Sequence, residues 1–128
     1  MTAGGAQRVR VLVVDDELAI LETFQRAFRR DFEIRLAANG AQALDLVEKY
    51  EFELVFADYA MAGMDGVTLL KRVAELRPGM ARVLVTAHHT IAEVTDAVRE
   101  GIVAQVIAKP WVRADVLSAI SAIAQDVR

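Results

Sequence analysis

Short runs of apolar residues alternate along this chain with segments that have the periodicity of a helix. The runs at residues 9–14 and 54–57, VRVLVV and LVFA, are apolar almost throughout, and each is followed by an aspartate. Such runs are typical of strands that are buried on both faces of a sheet. Three further strands are predicted at residues 33–37, 82–86 and 103–108. The pattern therefore predicts a parallel sheet with both faces covered.

The intervening segments repeat apolar residues at spacings of three and four, which places those residues on one face of a helix. Within residues 17–30 this spacing links Leu18, Leu21, Phe24 and Phe28. Further helices are predicted at residues 41–48, 67–76, 91–100 and 113–127. Strict alternation predicts an α/β fold, a doubly wound five-stranded parallel sheet flanked by five helices. The functional site of such a sheet lies outside the carboxyl ends of its strands.

Size and composition limit the kinds of protein that this chain can be. A length of 128 residues fits one domain, and a hydrophobic fraction of 55% supplies a buried core. The net charge of −3 offers no basic surface for phosphate backbones, which argues against direct binding of nucleic acid. Because the chain has no cysteine, any chemistry must use oxygen or nitrogen groups.

The start of the chain and its apolar runs bear on location. Residues 1–7 are small and polar, and we expect them to form a flexible leader to a domain at residues 8–128. They lack the charged start and the apolar centre of a signal peptide. The longest apolar runs are too short to span a membrane. These features predict a cytoplasmic protein that makes no use of a membrane.

Polar side chains follow the predicted strands at the points where the strands end. Asp15 and Asp16 follow the first strand, and Asp58 follows the third. Thr86 ends the fourth strand and Lys109 follows the fifth. The carboxyl ends of parallel strands meet at one edge, so these groups are expected in one pocket, where three carboxylates repel one another unless a cation joins them. Carboxylate oxygens without histidine or cysteine favour Mg²⁺, or Mn²⁺, over Zn²⁺.

Four motifs coincide with these strand ends. They are VLVVDDE at residues 11–17, VFADYAMAGMDG at residues 55–66, VLVTA at residues 83–87 and VIAKP at residues 106–110. In this order and spacing they resemble the receiver domain of bacterial two-component response regulators, the CheY-like family, over residues 8–126. The fold of that family is the doubly wound, flavodoxin-like sheet that the alternation already predicts.

The resemblance implies a signalling module that is controlled by phosphorylation. In the family, the aspartate at the end of the third strand accepts a phosphoryl group from a sensor histidine kinase, and Asp58 corresponds to it. The implied metal site contains Asp58, Asp16 as a direct ligand of Mg²⁺, Asp15 mostly through water, and the backbone carbonyl of Ala60. No external substrate with turnover is expected, so the chain is not predicted to be an enzyme in the usual sense.

The resemblance also implies how the signal leaves the site. Thr86 and Lys109 would bind phosphoryl oxygens. The face built by the fourth helix, the fifth strand and the fifth helix would then change its arrangement and control a partner protein or an output domain. The same face is a candidate surface for a homodimer.

Two residues depart from the family pattern. Val106 stands where the family usually has tyrosine or phenylalanine, which brings the usual aromatic switch into question. Ala62 follows Met61 where the family usually has proline, which removes a backbone constraint. Trp111 is a candidate to replace some of the lost aromatic packing, and the family's cis bond is expected before Pro110.

Several alternatives stay open at the level of single residues. Asp16 is also a candidate N-cap for the first helix. Thr86 alone is more typical of a strand threonine whose hydroxyl bonds to backbone. Neighbouring histidines do not face one way on a helix, so His88 and His89 are interpreted as solvated loop residues, although His88 lies where it could influence hydrolysis.

Two alternatives concern the whole protein. A pseudo-receiver would keep the fold without switching by phosphorylation, and Val106 motivates that hypothesis. A phosphatase of the haloacid dehalogenase type also uses an aspartate nucleophile on a parallel sheet, and it would require Asp15 with Glu17 as its acid partner. A downstream acid pair and a cap are missing for this second alternative.

Overall fold

Strands and helices alternate throughout the computed structural model, which describes residues 8–88 and 90–126. The elements are β1 (Arg10–Val14), α1 (Leu18–Phe28), β2 (Glu33–Ala37), α2 (Gly40–Lys49), β3 (Leu54–Asp58), α3 (Gly66–Leu76), β4 (Ala81–Thr86), α4 (Ala92–Arg99), β5 (Gln105–Ala108) and α5 (Arg113–Asp126). The predicted leader at residues 1–7, His89 and Val127 lie outside the described residues.

The strands form one parallel sheet in the order β2-β1-β3-β4-β5. This is the strand order of flavodoxin-like doubly wound sheets, and the predicted fold is confirmed. The register pairs Val14 with Ala57 and Thr86 with Ala108, so the carboxyl ends of neighbouring strands are level. Side chains at or just after these ends therefore reach one common edge.

Helices cover both faces of the sheet. One apolar layer lies between the sheet and helices α1 and α5, and its helical members are Leu21, Phe24, Phe28, Val116, Ala119 and Ile120. The other lies between the sheet and helices α2, α3 and α4, and its helical members are Ala43, Val47, Val67, Leu69, Leu70, Val73, Val94 and Ala97. None of the described helices is long and apolar enough to cross a membrane.

The connection from α4 to β5 explains why the last strand is shorter than predicted. The strand begins at Gln105 rather than at residue 103. Val103 is buried, which extends the apolar pattern, but its amide donates to the carbonyl of Ala97 instead of to a neighbouring strand. Gly101, with φ of +80°, makes the preceding turn, and the guanidinium of Arg82 donates to its carbonyl oxygen at 3.3 Å.

Candidate functional site

Three polar side chains are buried at the carboxyl edge of the sheet. Asp15 is 3% exposed, Asp58 4% and Thr86 2%. Burying a polar group costs free energy unless the group finds a partner, so a cluster of this kind requires an explanation. All three were predicted as site residues, and the adjacency of β1, β3 and β4 brings them together.

Lys109 supplies the cation of this cluster. Its Nζ lies 3.0 Å from Asp15 Oδ2 and 3.2 Å from Asp58 Oδ2. The carboxylate of Glu17 lies 3.7 Å from the same nitrogen but is far more exposed. One ammonium group is therefore shared among several carboxylates, and negative charge is in excess.

The excess charge is visible in the pKa values of the two partners. Burial raises the pKa of Asp58, repulsion from Asp15 raises it further, and the hydrogen bond from Lys109 offsets only part of the rise. Burial by itself lowers the pKa of Lys109, but the hydrogen bonds to Asp15 and Asp58 outweigh it and the pKa is raised. The lysine is thus held charged, while the Asp58 carboxylate is less stable than it would be in water.

The carboxylates form a cluster with the composition of a divalent-metal site. One oxygen from each of Asp15, Asp16 and Asp58 lies within 4.8 Å of the other two. Asp16 is exposed, so the cluster is open to solvent on one side. Oxygen donors, excess negative charge and room for water are the conditions that suit Mg²⁺ or Mn²⁺. The residues present therefore fit the predicted metal.

A backbone amide of the loop between β3 and α3 orients Asp16. Ala62 N donates to Asp16 Oδ2 at 3.1 Å. Proline at position 62 would have no N–H for this bond, so the departure from the family pattern adds a contact to a predicted metal ligand. Asp16 does not cap α1, because the N-cap of that helix is Glu17 and no side chain bonds there. The alternative of Asp16 as an N-cap is wrong.

The same loop is tightly packed below its exposed tip. Met61 is buried, and a Cβ on Gly40 would lie 2.7 Å from the sulfur of Met64, so both methionines fill space beneath the loop. A Cβ on Gly66 would collide with the carbonyl oxygen of Asp58. Ala60 is exposed in this loop, and its role as a carbonyl ligand stays a prediction.

Thr86 is connected to the start of α4 through the backbone. Its Oγ1 accepts a hydrogen bond from His88 N at 2.9 Å, and the carbonyl of His88 accepts from Ile91 N at 3.3 Å. Ile91 is the N-cap of α4. The side chain of His88 is exposed, as its interpretation as a solvated loop residue predicts. A movement of Thr86 would therefore reach α4 through this short loop.

Sequence reasoning missed the part of Tyr59 in this region. Its hydroxyl donates to Glu93 Oε1 at 2.6 Å, in the first turn of α4. This hydrogen bond, together with burial and the negative charge of Glu93, raises the pKa of Tyr59 to about 12. The only signal in the sequence was a polar aromatic residue directly after Asp58, since its partner lies 34 positions further along the chain.

Trp111 lies near the site, but on the opposite face of the sheet from Val106. Its ring centroid is 5.4 Å from that of Phe24, in the layer beneath α1 and α5. Together with Asp15 and Asp58 it lines a cavity of about 20 Å³. Val106 packs in the layer beneath α2, α3 and α4. The expectation that Trp111 replaces aromatic packing at position 106 is therefore wrong, whereas the expected cis bond before Pro110 is present.

Known proteins share this sequence pattern and fold. The response regulator receiver domain family matches residues 11–121. The hydrogenase transcriptional regulatory protein HoxA of Bradyrhizobium diazoefficiens is 34% identical over 101 residues, which are 79% of this chain and 21% of HoxA. The chain thus spans about a fifth of the length of the curated relatives it matches.

Solved structures agree with that assignment. The signal receiver domain of an HD domain-containing protein from Pseudomonas fluorescens Pf-5 is 28% identical, with a TM-score of 0.87 over 94% of this chain and 97% of its own. A response regulator from Burkholderia pseudomallei, described with a phosphorylated aspartic acid, a calcium ion and citrate, is also 28% identical; its TM-score is 0.80, over 93% of this chain and 70% of its own. A sheet of order β2-β1-β3-β4-β5, with buried acids and a lysine at its carboxyl edge, thus accompanies the sequence match: the chain belongs to the response regulator receiver domain family.

Proposed function

We propose that Asp58 accepts a phosphoryl group from a sensor histidine kinase and that this modification switches the protein. The observation that carries the proposal is the buried Asp58 carboxylate with the Lys109 ammonium 3.2 Å from its Oδ2. A carboxylate acts as a nucleophile when positive groups stand ready for the charge that develops on the transferred group. Receiver domains are signalling modules, so the product is a modified protein and not a released metabolite.

In the proposed transfer, one bond to phosphorus forms as another breaks. A carboxylate oxygen of Asp58 bonds to phosphorus while the bond from phosphorus to the donor nitrogen of the kinase histidine breaks, and that nitrogen keeps the electron pair. Asp58 becomes an acyl phosphate. Lys109 Nζ, already between Asp15 and Asp58, lies where it can stabilise a phosphoryl oxygen. The hydroxyl of Thr86 donates a hydrogen bond to another phosphoryl oxygen.

We propose that Mg²⁺, or Mn²⁺, is held by Asp15, Asp16, Asp58 and the backbone carbonyl of Ala60. Such a cation, when bound, would neutralise charge on the phosphoryl group and on the carboxylates around it. The Ala62 amide supports this site because it fixes the orientation of the exposed Asp16 carboxylate. Asp15 contributes from a buried position in which Lys109 already compensates part of its charge.

We propose that the output leaves through the face of α4, β5 and α5. Thr86 is linked to the N-cap of α4 by the His88 backbone, so a shift toward the phosphoryl group would move that helix. The relatives are transcriptional regulatory proteins, and this chain spans only about a fifth of their length. Control of an output domain or a separate cytoplasmic protein therefore fits, with a homodimer through the same face as one form of that output.

Intact-protein mass spectrometry tests the proposal. The protein is incubated with Mg²⁺ and acetyl phosphate, and we expect a mass gain of one phosphoryl group that is absent in Asp58→Asn and absent with a chelator. Asp45→Asn is a matched control, because Asp45 is an exposed aspartate paired with Lys49 on α2. If the protein gains no mass, or if Asp58→Asn gains as much, the chain is a pseudo-receiver and the proposal is wrong.

A further inference from the structure

Helix α4 is short and buries few side chains against the sheet. It is 8 residues long, and its buried side chains are Val94 and Ala97. Val98 on the same helix is 43% exposed, and Ile91 caps the helix without a side-chain hydrogen bond. A helix with so little buried surface is held in position by few contacts, so that a single hydrogen bond is a substantial part of them.

Tyr59 is, by contrast, fixed at the edge of the sheet. Its amide donates to the carbonyl of Val85 in β4 at 2.9 Å, and its carbonyl accepts from the amide of Gly66 at the start of α3 at 2.9 Å. Its ring packs in the apolar layer on the side of α2, α3 and α4. The phenol hydroxyl therefore projects from a rigid base toward a helix that is weakly held.

The first turn of α4 is thus held from two sides. From the strand of the phosphoacceptor, Tyr59 donates to Glu93 Oε1 at 2.6 Å. From the strand of Thr86, the backbone of His88 leads to the N-cap of the helix. In this arrangement Asp58 is a free carboxylate that contacts Lys109, and Thr86 Oγ1 is bonded to the loop. A change that draws Thr86 toward Asp58 would pull on the loop that leads to α4, while the hydrogen bond from Tyr59 holds the first turn of that helix in its present position.

We propose that Tyr59 is a positioning residue for α4 and that its hydrogen bond to Glu93 opposes the phosphorylation switch. This inference rests on the proposed function, and it deepens it by assigning the restraint on α4 to a particular pair of side chains. Val106 is half-buried in the same apolar layer as Tyr59. Because position 106 holds valine, the aromatic ring that connects the site to α4 is that of Tyr59, the residue directly after Asp58.

The restraint itself is tested by hydrogen exchange in the presence of a chelator and without a phosphodonor. The variants are Tyr59→Phe, which removes only the hydroxyl, Glu93→Ala, and the double variant. We expect amides of α4 to exchange about threefold to tenfold faster in each single variant, the change that losing one typical, solvent-exposed hydrogen bond produces. The double variant should exchange no faster than the faster single variant, because both remove the same bond.

Opposition to the switch is tested by titrating beryllofluoride, a phosphoryl analogue, in Mg²⁺, with Trp111 fluorescence as the readout. The coupling between the position of α4 and binding at the site is reciprocal, so a substitution that releases α4 should also favour binding of the analogue. We therefore expect Tyr59→Phe to bind the analogue about threefold to tenfold more tightly. A residue that served stability alone would not raise this affinity. The matched control is Asp96→Asn, because Asp96 pairs with Arg99 within α4 and does not reach β3.

The two measurements separate failure of the inference from failure of the proposed function. If α4 exchanges in Tyr59→Phe as it does in Asp96→Asn, or if the analogue binds Tyr59→Phe no more tightly than the wild type, the inference is overturned. If the wild type neither binds the analogue nor gains mass with acetyl phosphate, the phosphorylation proposal fails, and with it the opposition assigned to Tyr59. The exchange rates then still decide whether Tyr59 holds α4.

Discussion

Replacing Asp58 with asparagine is expected to make the protein more stable, although it removes the residue proposed to carry the chemistry. At an effective dielectric constant of about 20, attraction to Lys109 at 3.2 Å is worth about 5 kcal/mol. Repulsion from an Asp15 oxygen within 4.8 Å costs about 3.5 kcal/mol on the same basis. The two terms leave a net attraction of only about 1.5 kcal/mol.

Burial decides the sign of this balance. Taking a carboxylate out of water costs several kcal/mol, and Asp58 is only 4% exposed. The ionised side chain therefore destabilises the fold by roughly 1–2 kcal/mol in the absence of a metal. Asparagine has nearly the same shape and can still accept from Lys109. We expect its free energy of unfolding to rise by about 1 kcal/mol, with a melting temperature higher by roughly 3–5 °C.

The pH dependence follows from the raised pKa of Asp58. The folded protein binds the Asp58 proton more tightly than the unfolded chain does, so this group lowers stability as pH rises from the ordinary value of 3.8 through the folded pKa. The advantage of Asp58→Asn should thus be absent at the acid end of that interval and complete above it.

The assay is urea unfolding with a chelator, comparing midpoints at equal slope. Lys109→Met should lose about 3 kcal/mol, because it leaves Asp15 and Asp58 buried without a cation, and the double variant with Asp58→Asn should lose less. Asp45→Asn on the surface should change stability by no more than about 0.5 kcal/mol. A less stable or unchanged Asp58→Asn would refute the electrostatic argument.

Two further predictions concern neighbouring groups. Ala62→Pro removes the amide that bonds to Asp16, so we expect Mg²⁺ to bind about threefold to tenfold more weakly, as followed by Trp111 fluorescence, whereas Ala62→Ser should bind as the wild type does. Equal affinity in the two variants would contradict this role of the amide. Tyr59 should keep its proton between pH 10.0 and about 12 in an ultraviolet titration, and Glu93→Ala should shift its ionisation down toward 10.0. The contribution of this hydrogen bond to stability is complete below pH 10.0 and is lost as pH rises through about 12. An ionisation of Tyr59 that is the same with and without Glu93 would contradict the hydrogen bond.

The sequence predicted the features that depend on periodicity and topology. Apolar runs such as the one that ends at Asp58 are buried strands, and parallel connections force their carboxyl ends to one edge. The gathering of Asp15, Asp58, Thr86 and Lys109 follows from that constraint alone. Those residues therefore come together in the structure as the strand ends predict.

The contacts that the sequence did not predict depend on side-chain direction or on single backbone groups. The hydrogen bond from Ala62 N to Asp16 uses an amide, which leaves no mark in a pattern of residue types beyond the absence of proline. The Tyr59–Glu93 bond joins exposed and half-buried side chains on different elements. The apolar pattern extended β5 back to Val103 because this residue is buried, although its amide does not pair with a neighbouring strand.

The instability at Asp58 and the proposed binding of a cation are two consequences of the same charge excess. Several carboxylates share the ammonium of Lys109, so any added positive charge at this edge lowers the free energy of the folded protein. Asp58→Asn reduces the same charge excess without a ligand. This variant should therefore lose affinity for Mg²⁺ in proportion to the gain in its free energy of unfolding. A variant that became more stable and still bound the cation as tightly as the wild type would show that the two effects have separate origins, and the metal would then have to be placed on other groups.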